Sequence, residues 1–250
     1  MGHGRISLDD YHELRDDYTS RNLYLYIFEI SGPRTFGETW AQGHLKELVP
    51  ELTKPSRKQD PNYSGEYDFF LNRKIKIEVK ASRAVEAGSS DPLYMKALAS
   101  DSPKPFWMNF QQVKPACCDV FVWIAVWRDV IRYWVLSSHE LKHHPDYSAR
   151  QHRGNTGEGQ LHVRQDNIQD FAPFEAPSNK LGEAIRNACG HARPARVPIA
   201  LRGSRKVAQT AEPRGARCRS HAALTRVDAA IRFKGYPPQE LRRTWKTLPR

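Results

Sequence analysis

The chain has no apolar stretch long enough for a membrane. Its longest uninterrupted apolar run, Val120 to Trp127, is less than half of what a helix needs to cross a bilayer. The opening Met-Gly-His-Gly-Arg turns acidic without an apolar core, so nothing there resembles a signal peptide. Cysteine is scarce. Cys117, Cys118, Cys189 and Cys218 form no CxxC pair, which argues against a zinc ribbon or a disulfide framework, and adjacent Cys117 and Cys118 read as buried thiols. These absences point to a soluble protein of a reducing cytoplasm, with no membrane partner.

The body also lacks an excess of positive charge, although the whole chain carries +11. Residues 191–250 hold 15 Lys or Arg against three acids (Glu212, Asp228 and Glu240), a net of +12, which leaves residues 1–190 at −1. A body that binds nucleic acid must therefore do so through a local patch. After Gly190 the sequence turns to Arg, Pro, Gly and Ala with no regular apolar spacing. A boundary is expected near 190. The tail reads as an irregular basic arm that follows phosphates or folds on DNA, or as a passenger segment from a changed reading frame or fusion, which alone explains the loss of periodicity.

Within residues 1–190 the periodicity gives an α/β domain, a central mixed β-sheet flanked by helices. A helix is expected to open at Ser7 and run to about residue 30, followed by another over 35–48, amphipathic through Phe36, Trp40, Leu45 and Leu48. Tyr67 to Leu71 and the strictly alternating Ile75 to Ala81 read as strands joined by a turn at Asn72-Arg73-Lys74. Phe106 to Lys114 reads as a helix. Val120 to Trp127 and Val130 to Leu136 form a hairpin about Arg128-Asp129. The continuous apolar run of its first strand places that strand mid-sheet, buried on both faces. His139 to Gly159 reads as a long polar loop in which His143 and His144 are solvated, Leu161 to Arg164 as a short strand, and Ser178 as the cap of a last helix ending near Ala188.

The chemistry gathers on the alternating strand. Lys76, Glu78 and Lys80 share one face, and Glu78 and Lys80 lie roughly 7 Å apart along it. The short turn makes the strand carrying Asp68 an antiparallel partner, which brings a second carboxylate toward Glu78. Two adjacent carboxylates repel unless a cation intervenes. An all-oxygen site with room for water suits Mg²⁺, with Mn²⁺ as a substitute, and a neighbouring lysine helps orient and deprotonate an attacking water. Those parts suffice to hydrolyse a phosphodiester.

Asp68, nine intervening residues, then Glu78-Val79-Lys80 on a hairpin resembles the PD-(D/E)XK nuclease superfamily, which includes most type II restriction endonucleases. The resemblance covers roughly residues 35–140 and rests on the order of elements more than on the short motif. The family's proline is replaced by Tyr67. The resemblance implies Asp68, Glu78 and Lys80 as catalytic residues. It implies Asp68, Glu78, the Val79 carbonyl and a helical glutamate, Glu38, as metal ligands. The expected activity is metal-dependent hydrolysis of double-stranded DNA by a homodimer on a symmetric, specific sequence. A repair or recombination nuclease of the same fold, and a DNA-binding module without catalysis, are the alternatives. Contacts to DNA are expected from Ser82 and Arg83 at the end of the catalytic strand, and from Gln111 and Gln112, which could also meet the metal's water. Arg153, Asn155 and Gln160 of the Gly-rich loop, with His162 and Arg164 on the strand after it, are candidates for base readout.

Overall fold

The computed structural model describes residues 7–150 and 157–191. Four helices, α1 (Leu8–Arg21), α2 (Gln42–Leu48), α3 (Ser138–His143) and α4 (Leu181–His191), accompany eight strands. The strands are β1 (Phe69–Leu71), β2 (Ile75–Arg83), β3 (Val85–Glu86), β4 (Phe106–Val113), β5 (Val120–Val126), β6 (Ile131–Ser137), β7 (Tyr147–Ser148) and β8 (Gly159–Arg164). They form two four-stranded sheets, ordered β1-β2-β5-β6 and β3-β4-β8-β7. The first sheet is mixed: β2 is antiparallel to β1 and parallel to β5, and β5 is antiparallel to β6. Strand ladders in the second sheet are antiparallel throughout.

Burial explains the layering. Every residue of β5 is buried, as its unbroken apolar run requires. One of its faces, through Val120, Val122 and Ile124, joins Ile77 and Val79 of β2 under a helical layer contributed by Ile27, Phe28, Phe36, Leu45, Leu181 and Ile185. The other, through Phe121, Trp123 and Ala125, packs against Met108, Phe110, Leu161 and Val163 of the second sheet. The β1–β2 connection places both Asn72 (φ 54°) and Arg73 (φ 55°) in the left-handed region, the type I′ geometry whose twist matches its flanking strands. Gly159 is held to glycine by close approach, because a Cβ there would lie 2.5 Å from the Ser148 carbonyl and the Tyr147 hydroxyl.

Several expected elements take another form. Phe106–Val113 is a strand, not a helix: Phe106, Met108 and Phe110 alternate inward with Trp107 outward. The long first helix stops at Arg21, where Asn22 caps it, and Leu25–Glu29 is a 3-10 turn that sinks Ile27 and Phe28 into the core. The Ser7 start is confirmed by a capping box with Asp10. The second helix begins as π-helical turns over Thr35–Ala41. Ser178 opens a 3-10 turn ahead of α4 without capping it. The polar loop after β6 contains α3 and β7, and His144 is buried there, stacked on Phe171 at 4.5 Å. Cys118 is buried as expected, and Cys117 and Cys189 partly so. Among the described residues no helix is long and apolar enough to cross a membrane. The expected tail, with Cys218, lies outside the described residues.

Two packing histidines, His144 and His44, carry a pH consequence. His44 is stacked between Trp40 and Tyr133 and hydrogen-bonded to the Tyr133 hydroxyl at 2.7 Å. Burial lowers the pKa of both His44 and His144. The folded protein thus resists their protonation more than the unfolded chain does. Their contribution to stability is complete above the ordinary histidine pKa of about 6.5 and falls as pH drops below it. Urea midpoints are expected to decrease from pH 7.5 to pH 5, and the decrease should be smaller in His44→Gln and His144→Gln. An equal decrease in both variants would refute the assignment.

Candidate active site

Asp68 stands just before β1, where its backbone N–H still donates to the Ile77 carbonyl at 2.9 Å. Its side chain continues the ladder one step further: Oδ2 accepts the Val79 N–H at 2.8 Å. That bond turns the carboxylate over β2 and brings it near enough to Glu78 for each carboxyl to act on the other's charge. Lys80, two residues along the same face, places Nζ 2.8 Å from Glu78 Oε1, with only 17% and 14% of the two side chains exposed. The three residues expected to form the centre are thus brought together, by strand alternation and by one side-chain hydrogen bond.

Their electrostatics follow from burial. Desolvation raises the Glu78 carboxyl to about 7, against the opposing pull of Lys80 and with the help of the Asp68 charge. The Asp68 carboxyl is also raised by burial, although the Val79 N–H and the nearby lysines favour its charged form. Two acids that share a dry site resist full ionisation unless a cation neutralises them.

Two members of the cluster were not anticipated. Gln42, the first residue of α2, donates from Nε2 to Asp68 Oδ1 at 2.5 Å, and its Oε1 accepts from Lys54 Nζ. Lys54 lies over the Phe69 ring at 4.1 Å and within the fields of Asp68, Glu38 and Glu78. The helical position expected of Glu38 is therefore filled one turn later by Gln42. Glu38 itself is exposed and pairs with Arg34 at 3.3 Å. The signal for Gln42 was the i, i+4 spacing from Glu38. Lys54 sits in an aperiodic turn and had none.

No protein-family model matches the chain, and no curated protein matches its sequence.

Other expected contacts are placed elsewhere. Ser82 is buried between the sheets, where its hydroxyl accepts the Asn109 N–H at 3.1 Å and lies 3.3 Å from the Asn109 carbonyl. It serves packing, and its hydroxyl is not available to a phosphate. Arg83 faces the helical layer. Its guanidinium donates to the Ile27 and Ile30 carbonyls at 3.1 and 2.8 Å and covers Phe36 at 4.0 Å. Burial lowers its pKa to about 10. Gln111 and Gln112 are exposed on β4, not on a helix. His162 and Arg164 share the outer face of the second sheet, where they line a shallow cavity with Trp107. Gln160 is half-buried on the same strand, and Arg153 and Asn155 lie outside the described residues.

The donor set can be tested against the expected metal. Among the described residues no three His, Cys, Asp or Glu side chains converge as a ready cage. Two neighbouring, partly buried carboxylates, with the backbone carbonyl of Val79 next to Glu78 in the chain, fit a hard cation that retains water and takes a substrate phosphate. They do not fit a structural zinc site, which needs four protein ligands.

Proposed function

We propose that the chain is a Mg²⁺-dependent endonuclease that hydrolyses phosphodiester bonds of double-stranded DNA, built on the PD-(D/E)XK plan. The observation that carries this reading is the partly buried Asp68–Glu78 carboxyl pair with the Lys80 ammonium 2.8 Å from Glu78. The mixed sheet with helices on one face, and the central buried strand following the motif, support the same plan.

In this reading Asp68, Glu78 and the Val79 carbonyl hold the cation. A divalent cation there supplies positive charge against the phosphate oxygens and makes a nearby water easier to deprotonate. Lys80, as an ammonium, orients that water and adds positive charge beside the phosphate, and the water's proton leaves to solvent. Gln42 fixes the rotamer of Asp68, and Lys54 adds positive charge on the solvent side. Cleaving both strands takes two such centres, so the reading includes a homodimer acting on a symmetric site.

The test is direct. Supercoiled plasmid incubated with the protein and Mg²⁺ is expected to become linear or to fall into discrete fragments. Mn²⁺ should substitute, Ca²⁺ should permit binding with little cleavage, and EDTA should stop the reaction. Cleavage that persists in EDTA would sink the reading. Fragments without discrete ends would favour a repair or recombination nuclease over a restriction enzyme.

A further inference from the structure

β4 bears a bulge that turns Val113 back into the core. It pairs with β8 in regular register from Trp107 to Phe110, slips, and resumes at Val113, opposite Gly159. Gln112, inside the slip, has φ +55°, a conformation that costs a side-chain-bearing residue and that glycine adopts freely. Bulges of this kind re-aim side chains and cluster beside functional sites. Gln111 and Gln112 are both exposed between buried Phe110 and Val113, and neither amide has a hydrogen-bond partner among the described residues.

The fold shows where the bulge lies. Val85 pairs with Trp107, and Ser82 is bonded to the backbone of Asn109, so β4 runs back along the course of β2 toward its catalytic half. Phe110 packs edge-on against Trp123 at 5.1 Å, and Trp123 is the ladder neighbour of Lys80. The step after Phe110 is the bulge. The bulge therefore follows directly on the residue packed against the ladder neighbour of Lys80, with both of its amides exposed.

We propose that the Gln111–Gln112 bulge reads the base pair beside the cleaved bond, with a glutamine amide bonding the adenine edge. The inference rests on the nuclease reading and adds to it the specificity-determining element. An amide offers one donor and one acceptor side by side, the complement of adenine N7 and N6 in the major groove. The strained backbone is what sets that amide at a fixed angle to a substrate held at Lys80.

Gln112→Gly separates recognition from architecture, because glycine keeps the bulge and relieves its strain. Wild type, Gln112→Gly and Gln111→Ala would each be given a duplex library randomised around the cut, with Mg²⁺, and the cleaved ends sequenced. Wild type is expected to prefer A·T at a position flanking the cut. At least one variant should lose that preference by about ten-fold or more while keeping preferences elsewhere. The urea midpoint of Gln112→Gly should be unchanged or higher. A preference profile unchanged in both variants, or a wild type with no preference beside the cut, would overturn the inference alone. A wild type that cleaves no duplex at all would overturn the nuclease reading and this inference with it.

Discussion

Glu78→Gln is expected to lower duplex cleavage by on the order of a thousand-fold, the scale of losing a principal electrostatic contributor to a transition state. Asp68→Asn should do the same. The fold should survive both, since the change removes a charge that burial already disfavours and leaves the shape intact. Circular dichroism should be unaltered and the urea midpoint in EDTA no lower than wild type. Lys80→Ala should be comparably inactive, and extra Mg²⁺ should not restore it. Lys76 supplies the control on the same strand face. Its ammonium is engaged with Asp60 at 2.6 Å, which in turn accepts from the Tyr67 hydroxyl, so Lys76→Ala should cost cleavage no more than a few-fold. Were Lys76→Ala as inactive as Lys80→Ala, or Glu78→Gln as active as wild type, the catalytic assignment would fall.

Arg83→Ala should produce the other large effect, on stability. The substitution takes the guanidinium donor from the Ile30 carbonyl, leaves the Ile27 carbonyl only the Ile30 N–H at 3.3 Å, and strips the cover from Phe36. A loss of about 3 kcal/mol is expected from the lost hydrogen bonds and the lost packing together. Arg83→Met, which keeps much of the volume, should lose less. Because the guanidinium faces the helical layer, neither variant should change the salt dependence of DNA binding, which counts phosphate contacts. A shallower salt slope with unaltered unfolding would restore Arg83 to the DNA and remove it from the core.

These two cases show which parts of the molecule the residue pattern carries. The burial of β5 on both faces and the pairing of Asp68 with Glu78 follow from local properties: an unbroken apolar run and a period of two on each side of a short turn. Phe106–Val113 was misleading because Phe106, Phe110 and Val113 also fit helical spacing. The inward alternation of Phe106, Met108 and Phe110 decides for a strand. Arg83 was ambiguous for another reason. Alternation set it opposite Ser82, but nothing local says that carbonyls from residues 27 and 30 wait on that side. Gln42 and Lys54 belong with Asp68 only through tertiary contact, and Lys54 comes from a segment with no period to read.

The position of β5 also has a kinetic meaning. A strand walled on both faces is shared property: neither the helical layer nor the second sheet can detach without stripping one side of it bare. The two cores therefore form one cooperative unit, and local opening is left to elements outside it, such as α1, which buries no residue. β2 is hydrogen-bonded along most of its length to that unit. Glu78 and Lys80 inherit its stillness, so their mutual geometry is set before any substrate arrives and endures for as long as the molecule is folded.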